Sequence, residues 1–230
     1  MDTSVIVWQN NIRVSIYDIT FSPDSRQIAV ATDSGITIFD ISNGAQIKEI
    51  FSTSTFWTCR FSSDGKYLAG ASRSGFFKVW RTEDYSLAFE YDVKQEFMLS
   101  LDFSKDSKYL AVAGEKEGIL IFDINNWTLF KQRKSFPFYN DPKYGGHPTA
   151  YKVNFSNDGS KLLFSGDWSF IYDIANDTIL KTFEGKLPQY SPDNKLIGCK
   201  YWIDGNQGLY IYDTASTTPI KKYTFGDNNF

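Results

Sequence analysis

The chain has 230 residues, of which 17% are aromatic, and its formal net charge is −3 at pH 7. A charge this close to balance creates no overall field that would draw the chain to nucleic acid or to an anionic membrane. No apolar run approaches the ~18 residues of a membrane-spanning helix, so no span is expected.

The cysteines and the first residues of the chain indicate the cellular compartment in which the protein is expected. Cys59 and Cys199 lie in strand-like runs without CxxC spacing, which favours two small buried side chains in a reducing compartment. Met1 to Trp8 is too short and too polar for a secretory signal. We therefore expect a soluble, cytoplasmic protein.

A short predicted strand, Ser4-Val-Ile-Val-Trp8, precedes a unit of four further strands over residues 12–51. The first strand of the unit alternates around Ile16 to Phe21, and the second, from Gln27, is small and apolar. Alternating or short apolar runs rich in β-branched and aromatic residues favour strands over helices. The first unit is therefore predicted as an antiparallel four-stranded sheet.

The same unit returns over residues 52–92, 93–132, 150–184 and 185–225. Its first signature is Phe21-Ser-Pro-Asp24, Phe61-Ser-Ser-Asp64, Phe103-Ser-Lys-Asp106, Phe155-Ser-Asn-Asp158 and Tyr190-Ser-Pro-Asp193. Its second signature is Ile38-Phe-Asp40, Val79-Trp-Arg81, Ile121-Phe-Asp123, Ile171-Tyr-Asp173 and Ile211-Tyr-Asp213. Four-stranded units repeated at about 40 residues are typical of β-propeller blades, which bury both faces only by stacking on neighbours. An all-β propeller is predicted, with five visible blades and almost no helix.

Two kinds of turn connect the predicted strands. The Ser and Asp of the first signature can bond their own backbone, which returns the chain as the second strand. Glycine-containing turns lead into the third strand, and they are predicted at Asp33-Ser-Gly35, Arg73-Ser-Gly75, Glu117-Gly118 and Gln207-Gly208. Because the aspartates recur at the same turn of every unit, a structural role is favoured over a metal site.

The two signatures together resemble the WD40 repeat family, and the resemblance covers nearly the whole chain. Trp80 stands at the tryptophan position of the family but is followed by Arg81, and Phe39, Phe122, Tyr172 and Tyr212 stand at that position in the other units. The family's Gly-His dipeptide occurs once, as Gly146-His147. The resemblance implies either a degenerate hydrogen-bond network of His147, Ser165 and Asp167 or an exposed loop histidine.

The chain is expected to form a single domain over residues 1–230. The number of predicted strands, however, does not match a closed ring of five blades. Propellers of the family usually have seven blades, and the predicted fifth blade already ends with its own fourth strand, Pro219 to Phe225. Ser4 to Trp8 is therefore one strand too many for five blades. Three explanations stay open: a portion of a longer propeller, missing strands supplied by a partner, or a closed five-bladed ring.

Residue types that carry catalysis are scarce. The chain has 1 histidine and lacks GxSxG, P-loop and GxGxxG motifs and zinc-ligand spacing. We therefore predict no enzyme activity, no cofactor and no metal. Two alternatives stay open: a propeller enzyme like the lactonases and the propellers attached to peptidases, and an RNA-binding propeller subunit.

A surface for protein partners is predicted on the face that carries the longest connection, the loop insertion 131–150. Aromatic residues beside arginine are typical of protein interfaces. The candidates in the loop are Arg133, Phe136, Phe138, Tyr139 and Tyr144, and the alternative is that its aromatics cap the propeller. Trp57, placed with Phe56 in a connection, and Tyr201 and Trp202, placed after a second strand, are candidates on the same face.

These observations together favour a scaffold that binds other proteins within a larger assembly. Other protein subunits are the expected partners, one of which could complete the propeller. Neither nucleic acid nor a small-molecule substrate is expected.

Overall fold

The computed structural model describes residues 9, 14–93, 97–115, 117–134, 150–166, 168–203 and 206–225, and in that part of the chain all regular structure is β. Twenty strands form five antiparallel sheets of four within these residues, which confirms the predicted fold class. Each sheet is called a blade, numbered along the chain. The predicted strand Ser4 to Trp8 lies outside the described residues.

The strand bounds follow, blade by blade. Blade 1 holds β1 (Ile16–Phe21), β2 (Gln27–Thr32), β3 (Gly35–Asp40) and β4 (Gln46–Phe51); blade 2 holds β5 (Phe56–Phe61), β6 (Tyr67–Ser72), β7 (Phe76–Arg81) and β8 (Leu87–Asp92). Blade 3 holds β9 (Met98–Phe103), β10 (Tyr109–Gly114), β11 (Ile119–Asp123) and β12 (Thr128–Arg133); blade 4 holds β13 (Lys152–Phe155), β14 (Lys161–Ser165), β15 (Ser169–Asp173) and β16 (Thr178–Phe183). Blade 5 holds β17 (Lys186–Tyr190), β18 (Leu196–Ile203), β19 (Asn206–Asp213) and β20 (Lys221–Phe225).

The chain forms two compact units. Residues 1–98 hold blades 1 and 2, and residues 99–230 hold nearly all of blade 3 together with blades 4 and 5. The expectation of a single domain over 1–230 stays a prediction.

The turn between the first and second strands has the same hydrogen bonds in every blade. In blade 1 the hydroxyl of Ser22 donates to Oδ1 of Asp24 over 2.6 Å, and the backbone amide of Gln27 donates to Oγ of Ser22 over 2.9 Å. The corresponding Ser–Asp bonds span 2.7, 2.7, 2.6 and 2.7 Å in blades 2 to 5. The structural role predicted for the turn aspartates is therefore confirmed.

The aromatic residues at the tryptophan position are buried in all five blades, as the repeat predicts. Their exposed fractions are at most 5%, for Phe39, Trp80, Phe122, Tyr172 and Tyr212. Within the first unit, Trp80 of blade 2 belongs to one cluster with Ile36 and Ile38 of blade 1. Within the second unit, Tyr212 of blade 5 lies with Leu163 of blade 4. The second signature thus supplies side chains that hold neighbouring blades together.

Polar side chains of the first strand of a blade also bind the next blade. Asp18 of β1 accepts hydrogen bonds from the Thr58 hydroxyl at 2.7 Å and the Cys59 amide at 3.2 Å. In the second unit, Asp102 of β9 accepts from the Phe155 amide at 2.8 Å, and Asn154 of β13 donates to the Pro188 carbonyl at 3.0 Å. Because each bond joins particular positions of neighbouring blades, the bonds favour one blade-to-blade register.

The hairpin of blade 5 differs from the prediction. Gln207 and Gly208 do not form its turn; they lie in β19, and the pair Ile203 and Asn206 extends the ladder beyond them. Glycine is needed at this place for a different reason, since a Cβ on Gly208 would come within 2.1 Å of the Tyr201 ring. The prediction was wrong because a glycine that makes room for a ring resembles a turn glycine in sequence.

Candidate interaction site

Trp57, one of the predicted partner residues, lies inside strand β5 and not in a connection as predicted. Its neighbour Phe56 is buried in the core at 1% exposure and packs edge-on against Trp80, with ring centroids 5.8 Å apart. The pairing of β5 with β6 shifts register between Phe56 and Thr58, so Trp57 stands at an irregularity of the strand, where it is half-buried.

Trp57 forms a cluster with two residues that sequence reasoning had not proposed, Arg73 and Phe97. The Arg73 guanidinium carbon lies 5.7 Å from the Trp57 ring centroid and 5.5 Å from that of Phe97. The two ring centroids are 5.6 Å apart, so the three groups make a nearly equilateral triangle. Both rings are half-buried and Arg73 is exposed. This set of three residues is called the Trp57 cluster.

Backbone hydrogen bonds fix the turn that carries Arg73. The Arg73 amide donates to the Thr55 carbonyl over 2.9 Å, which ties the turn to the connection before β5. The Val93 amide donates to the Gly75 carbonyl over 2.9 Å, which ties the turn to the end of β8. Gly75 has φ +87°, a left-handed conformation that glycine adopts without strain. Backbone hydrogen bonds therefore fix the position of the turn that carries Arg73.

The charge of Arg73 has no carboxylate partner within the described residues. No carboxylate of that part of the chain lies within 4.0 Å of its guanidinium, and no hydrogen bond from its side chain is formed there. Beside it, the hydroxyl of Ser74 donates to that of Ser54 over 2.9 Å. A pair of hydroxyls thus lies beside the exposed cation and the two half-buried rings of the Trp57 cluster.

Arg133 was predicted in the long connection, but it is the last residue of strand β12, and it binds within the chain. Its Nη1 lies 3.1 Å from Oδ1 of Asp177, and its guanidinium carbon lies 5.4 Å from the Tyr172 ring centroid. The Tyr172 hydroxyl donates to the same Oδ1 over 2.6 Å, and this hydrogen bond lowers the pKa of Asp177. Arg133 therefore connects β12 to blade 4.

The remaining candidates of the long connection, Phe136, Phe138, Tyr139 and Tyr144, lie outside the described residues, as do His147 and Asp167. Nothing in the described part of the chain tests these predictions.

Tyr201 was predicted to follow the second strand of blade 5, but it lies inside β18. Its ring is buried and stacks on Tyr210 with centroids 4.0 Å apart, and its hydroxyl shares a 2.7 Å hydrogen bond with that of Thr224. Trp202 follows it in β18, but its side chain lies outside the described part. Tyr201 therefore packs blade 5 itself.

A cleft of about 450 Å³ lies between blades 1 and 2, at the blade ends that carry the Ser–Asp turns. Its acidic lining includes Asp24 and Asp64, which are held in those turns. The hydrogen bond from Ser22 lowers the pKa of Asp24, so this carboxylate is a weaker base than an ordinary aspartate. The pKa values of Asp24 and Asp64 are both lowered, so neither carboxyl group is tuned toward neutral pH for proton transfer.

Other features of the described residues bear on metals, thiols and membranes. In that part of the chain, no three histidine, cysteine or acidic residues come together as a metal site. Cys59 and Cys199 are both unpaired and buried, as predicted, and burial raises the pKa of the Cys199 thiol to about 12. No helix that could cross a membrane occurs among the described residues.

Comparison with known proteins agrees with this architecture. The model of the family described as "WD domain, G-beta repeat" matches residues 2–40 and 46–81. The crystal structure of the RRP9 WD40 repeats superposes with a TM-score of 0.76 at 14% identity, covering 94% of this chain and 65% of that one. At this identity the likeness concerns the fold.

Curated proteins also match this sequence. Pre-mRNA-processing factor 19 of Oryza sativa subsp. japonica is 23% identical over 77% of this chain and 32% of its own length. The F-box-like/WD repeat-containing protein TBL1X of Mus musculus is 29% identical over 54% of this chain and 22% of its own length. The chain thus matches less than two thirds of either relative.

Five four-stranded blades with two recurring signatures define a repeat-built β-propeller module. The family model, the relatives and the structural neighbour all support a WD40-repeat β-propeller.

Proposed function

We propose that this chain is a non-catalytic scaffold that binds other proteins within a larger assembly, and that the Trp57 cluster is one of its contact sites. The observation that carries the proposal is the exposed Arg73 lying over the half-buried rings of Trp57 and Phe97. Tryptophan and arginine are enriched among the residues that dominate interface energetics. Similarity to WD-repeat proteins supports the same class of role.

The setting of the cluster suits a binding site better than an exposed loop would. Trp57 is held in strand β5, so little side-chain and backbone freedom is lost when a partner binds. Propeller loops that project from rigid blades commonly carry function. A reducing intracellular compartment is part of the proposal, because both buried cysteines are unpaired.

The test is a native purification of the tagged chain from its source cells, with identification of co-purifying proteins. Trp57→Ala should reduce recovery of a stoichiometric partner at least about ten-fold, because truncating an interface tryptophan commonly costs 2 kcal/mol or more. Leu180→Ala, an exposed apolar truncation on β16, is the control and should leave recovery unchanged. Equal recovery with Trp57→Ala and the wild type would contradict a role of the cluster.

A further inference from the structure

Building on the proposed function, we infer that the Trp57 cluster binds an acidic peptide segment of a partner protein, with a carboxylate on Arg73 and an adjoining apolar side chain on the rings of Trp57 and Phe97. The contacts of Arg73 carry this inference. Its guanidinium lies against two rings, but it meets no carboxylate among the described residues. With respect to the described residues, the charge is thus available to the carboxylate of a ligand.

The two rings hold the guanidinium of Arg73 in an orientation that suits a planar anion. A guanidinium that stacks on aromatic rings keeps its N–H groups in a fixed fork, which matches the two oxygens of a carboxylate. The rings also remove water from part of the guanidinium surface, and an ion pair is stronger where water is displaced. An arginine on a mobile loop would lose more conformational freedom on binding.

The charge of the cluster favours a carboxylate over a phosphate. Arg73 is the single cation of the Trp57 cluster, and Lys78 of β7, the strand after the turn, is paired with Glu90 at 3.3 Å. Sites for phosphorylated peptides usually gather several arginines against a charge near −2. The single positive charge of Arg73 matches the single negative charge of one glutamate or aspartate side chain.

The two rings of the cluster and the neighbouring hydroxyls can also bind parts of a peptide. The half-buried rings of Trp57 and Phe97 offer apolar surface to a side chain next to the acidic one. The hydroxyls of Ser54 and Ser74, 2.9 Å apart, can exchange their mutual hydrogen bond for bonds to a peptide backbone. Acidic, apolar and backbone contacts therefore lie side by side on one surface.

The experiment is a titration of the full chain, followed by the indole N–H resonance of Trp57. That resonance is assigned by its loss in Trp57→Phe. The probes are three short synthetic peptides of otherwise identical sequence: one places glutamates beside a phenylalanine, the second has glutamine for glutamate, and the third has phosphoserine for glutamate. We expect a saturable shift with the glutamate peptide, at least about ten-fold weaker binding of the glutamine peptide, and weaker binding above about 0.5 M salt.

Variants distinguish the effect of the Arg73 charge on peptide binding from an effect on folding. Arg73→Gln should weaken binding of the glutamate peptide at least about ten-fold, and Arg73→Lys by less, because lysine keeps the charge but loses the planar fork. Arg26→Gln removes another exposed charge, at the Ser–Asp turn of blade 1, and should leave binding unchanged. Circular-dichroism melting curves establish that each variant is folded.

Several outcomes would overturn the inference. They are the absence of a saturable shift at millimolar peptide, equal binding of the glutamine peptide, tighter binding of the phosphoserine peptide, and wild-type affinity in Arg73→Gln. Failure here is distinguishable from failure of the proposed function. If Trp57→Ala loses the native partner while Arg73→Gln retains it, the scaffold role stands and the acidic-peptide inference falls.

Discussion

At the scale of single residues, the packing between blades 1 and 2 depends on the absence of one side chain. A Cβ added to Gly70 in β6 would lie 2.5 Å from Cδ1 of Ile36 and 2.8 Å from Cδ1 of Phe56. Both neighbours are at most 1% exposed, so neither has free space to move into. Gly70→Ala should therefore lower the free energy of unfolding by about 1–3 kcal/mol, the usual cost of overpacking a core, as measured by urea denaturation.

Blade 5 offers a matched control for this prediction. Gly198 occupies the same position in the small apolar strand, but its added Cβ would meet only Cδ1 of Leu209, at an ordinary 3.7 Å. Gly198→Ala should be neutral or slightly stabilising, because alanine restricts the unfolded chain. Equal stability of the two variants would mean that blades 1 and 2 are packed less tightly than described.

The Trp57 cluster illustrates what sequence reasoning can and cannot find at this scale. Trp57 was identifiable as an aromatic residue four positions before the Phe-Ser signature. Arg73 was visible as the first residue of a glycine turn, but its position over Trp57 depends on the pairing of β5 with β6. Phe97 comes from the connection after β8, and no local pattern links it to either residue.

At the scale of elements, the Ser–Asp turn makes stability depend on acidity. Hydrogen bonds from Ser22, Ser156 and Ser191 lower the pKa values of Asp24, Asp158 and Asp193 below the ordinary value of about 3.9. The folded state thus binds these protons less tightly than the unfolded state. The turns stabilise the fold above that ordinary value, and the contribution is lost as the pH falls through the lowered pKa values.

The measurement compares urea unfolding at neutral pH and at about pH 3 for the wild type and for a triple variant with asparagine at the three positions. Asparagine retains an acceptor but cannot titrate. The stability advantage of the wild type at neutral pH should shrink at the acidic pH. Glu49→Gln, an exposed change outside the turns, is the control. An advantage that stays constant with pH would refute the role of these carboxylates.

Most elements were predictable because each blade repeats both its turn and its buried aromatic residue within a short stretch of chain. The Ser–Asp turn involves residues two and five positions apart, so its sequence pattern directly indicates its structure. The hairpin of blade 5 was misjudged because Gly208 accommodates the ring of Tyr201, a contact set by strand pairing. Short sequence patterns thus specify the blades, whereas contacts between strands account for the places where the structure differs from the prediction.

At the scale of the whole molecule, apolar side chains remain exposed on both terminal strands of the described repeats. On β1, Ile16, Ile19 and Phe21 are 54%, 53% and 59% exposed, and on β20 Phe225 is 57% exposed. Clusters of exposed apolar residues on edge strands promote association between chains. We therefore predict that residues 1–230 expressed alone self-associate, and become monodisperse when a binding partner covers these strands.

Light scattering at increasing concentration measures this association. A variant with Ile19→Thr and Phe21→Thr should shift the average mass toward the monomer, because threonine keeps the strand-forming tendency but removes apolar area. Leu129→Thr with Leu180→Thr, on exposed positions of β12 and β16, is the control and should change the mass little. A wild-type chain that stays monomeric at every concentration would show that these side chains are covered within the chain, and the need for a completing partner would then lose its physical basis.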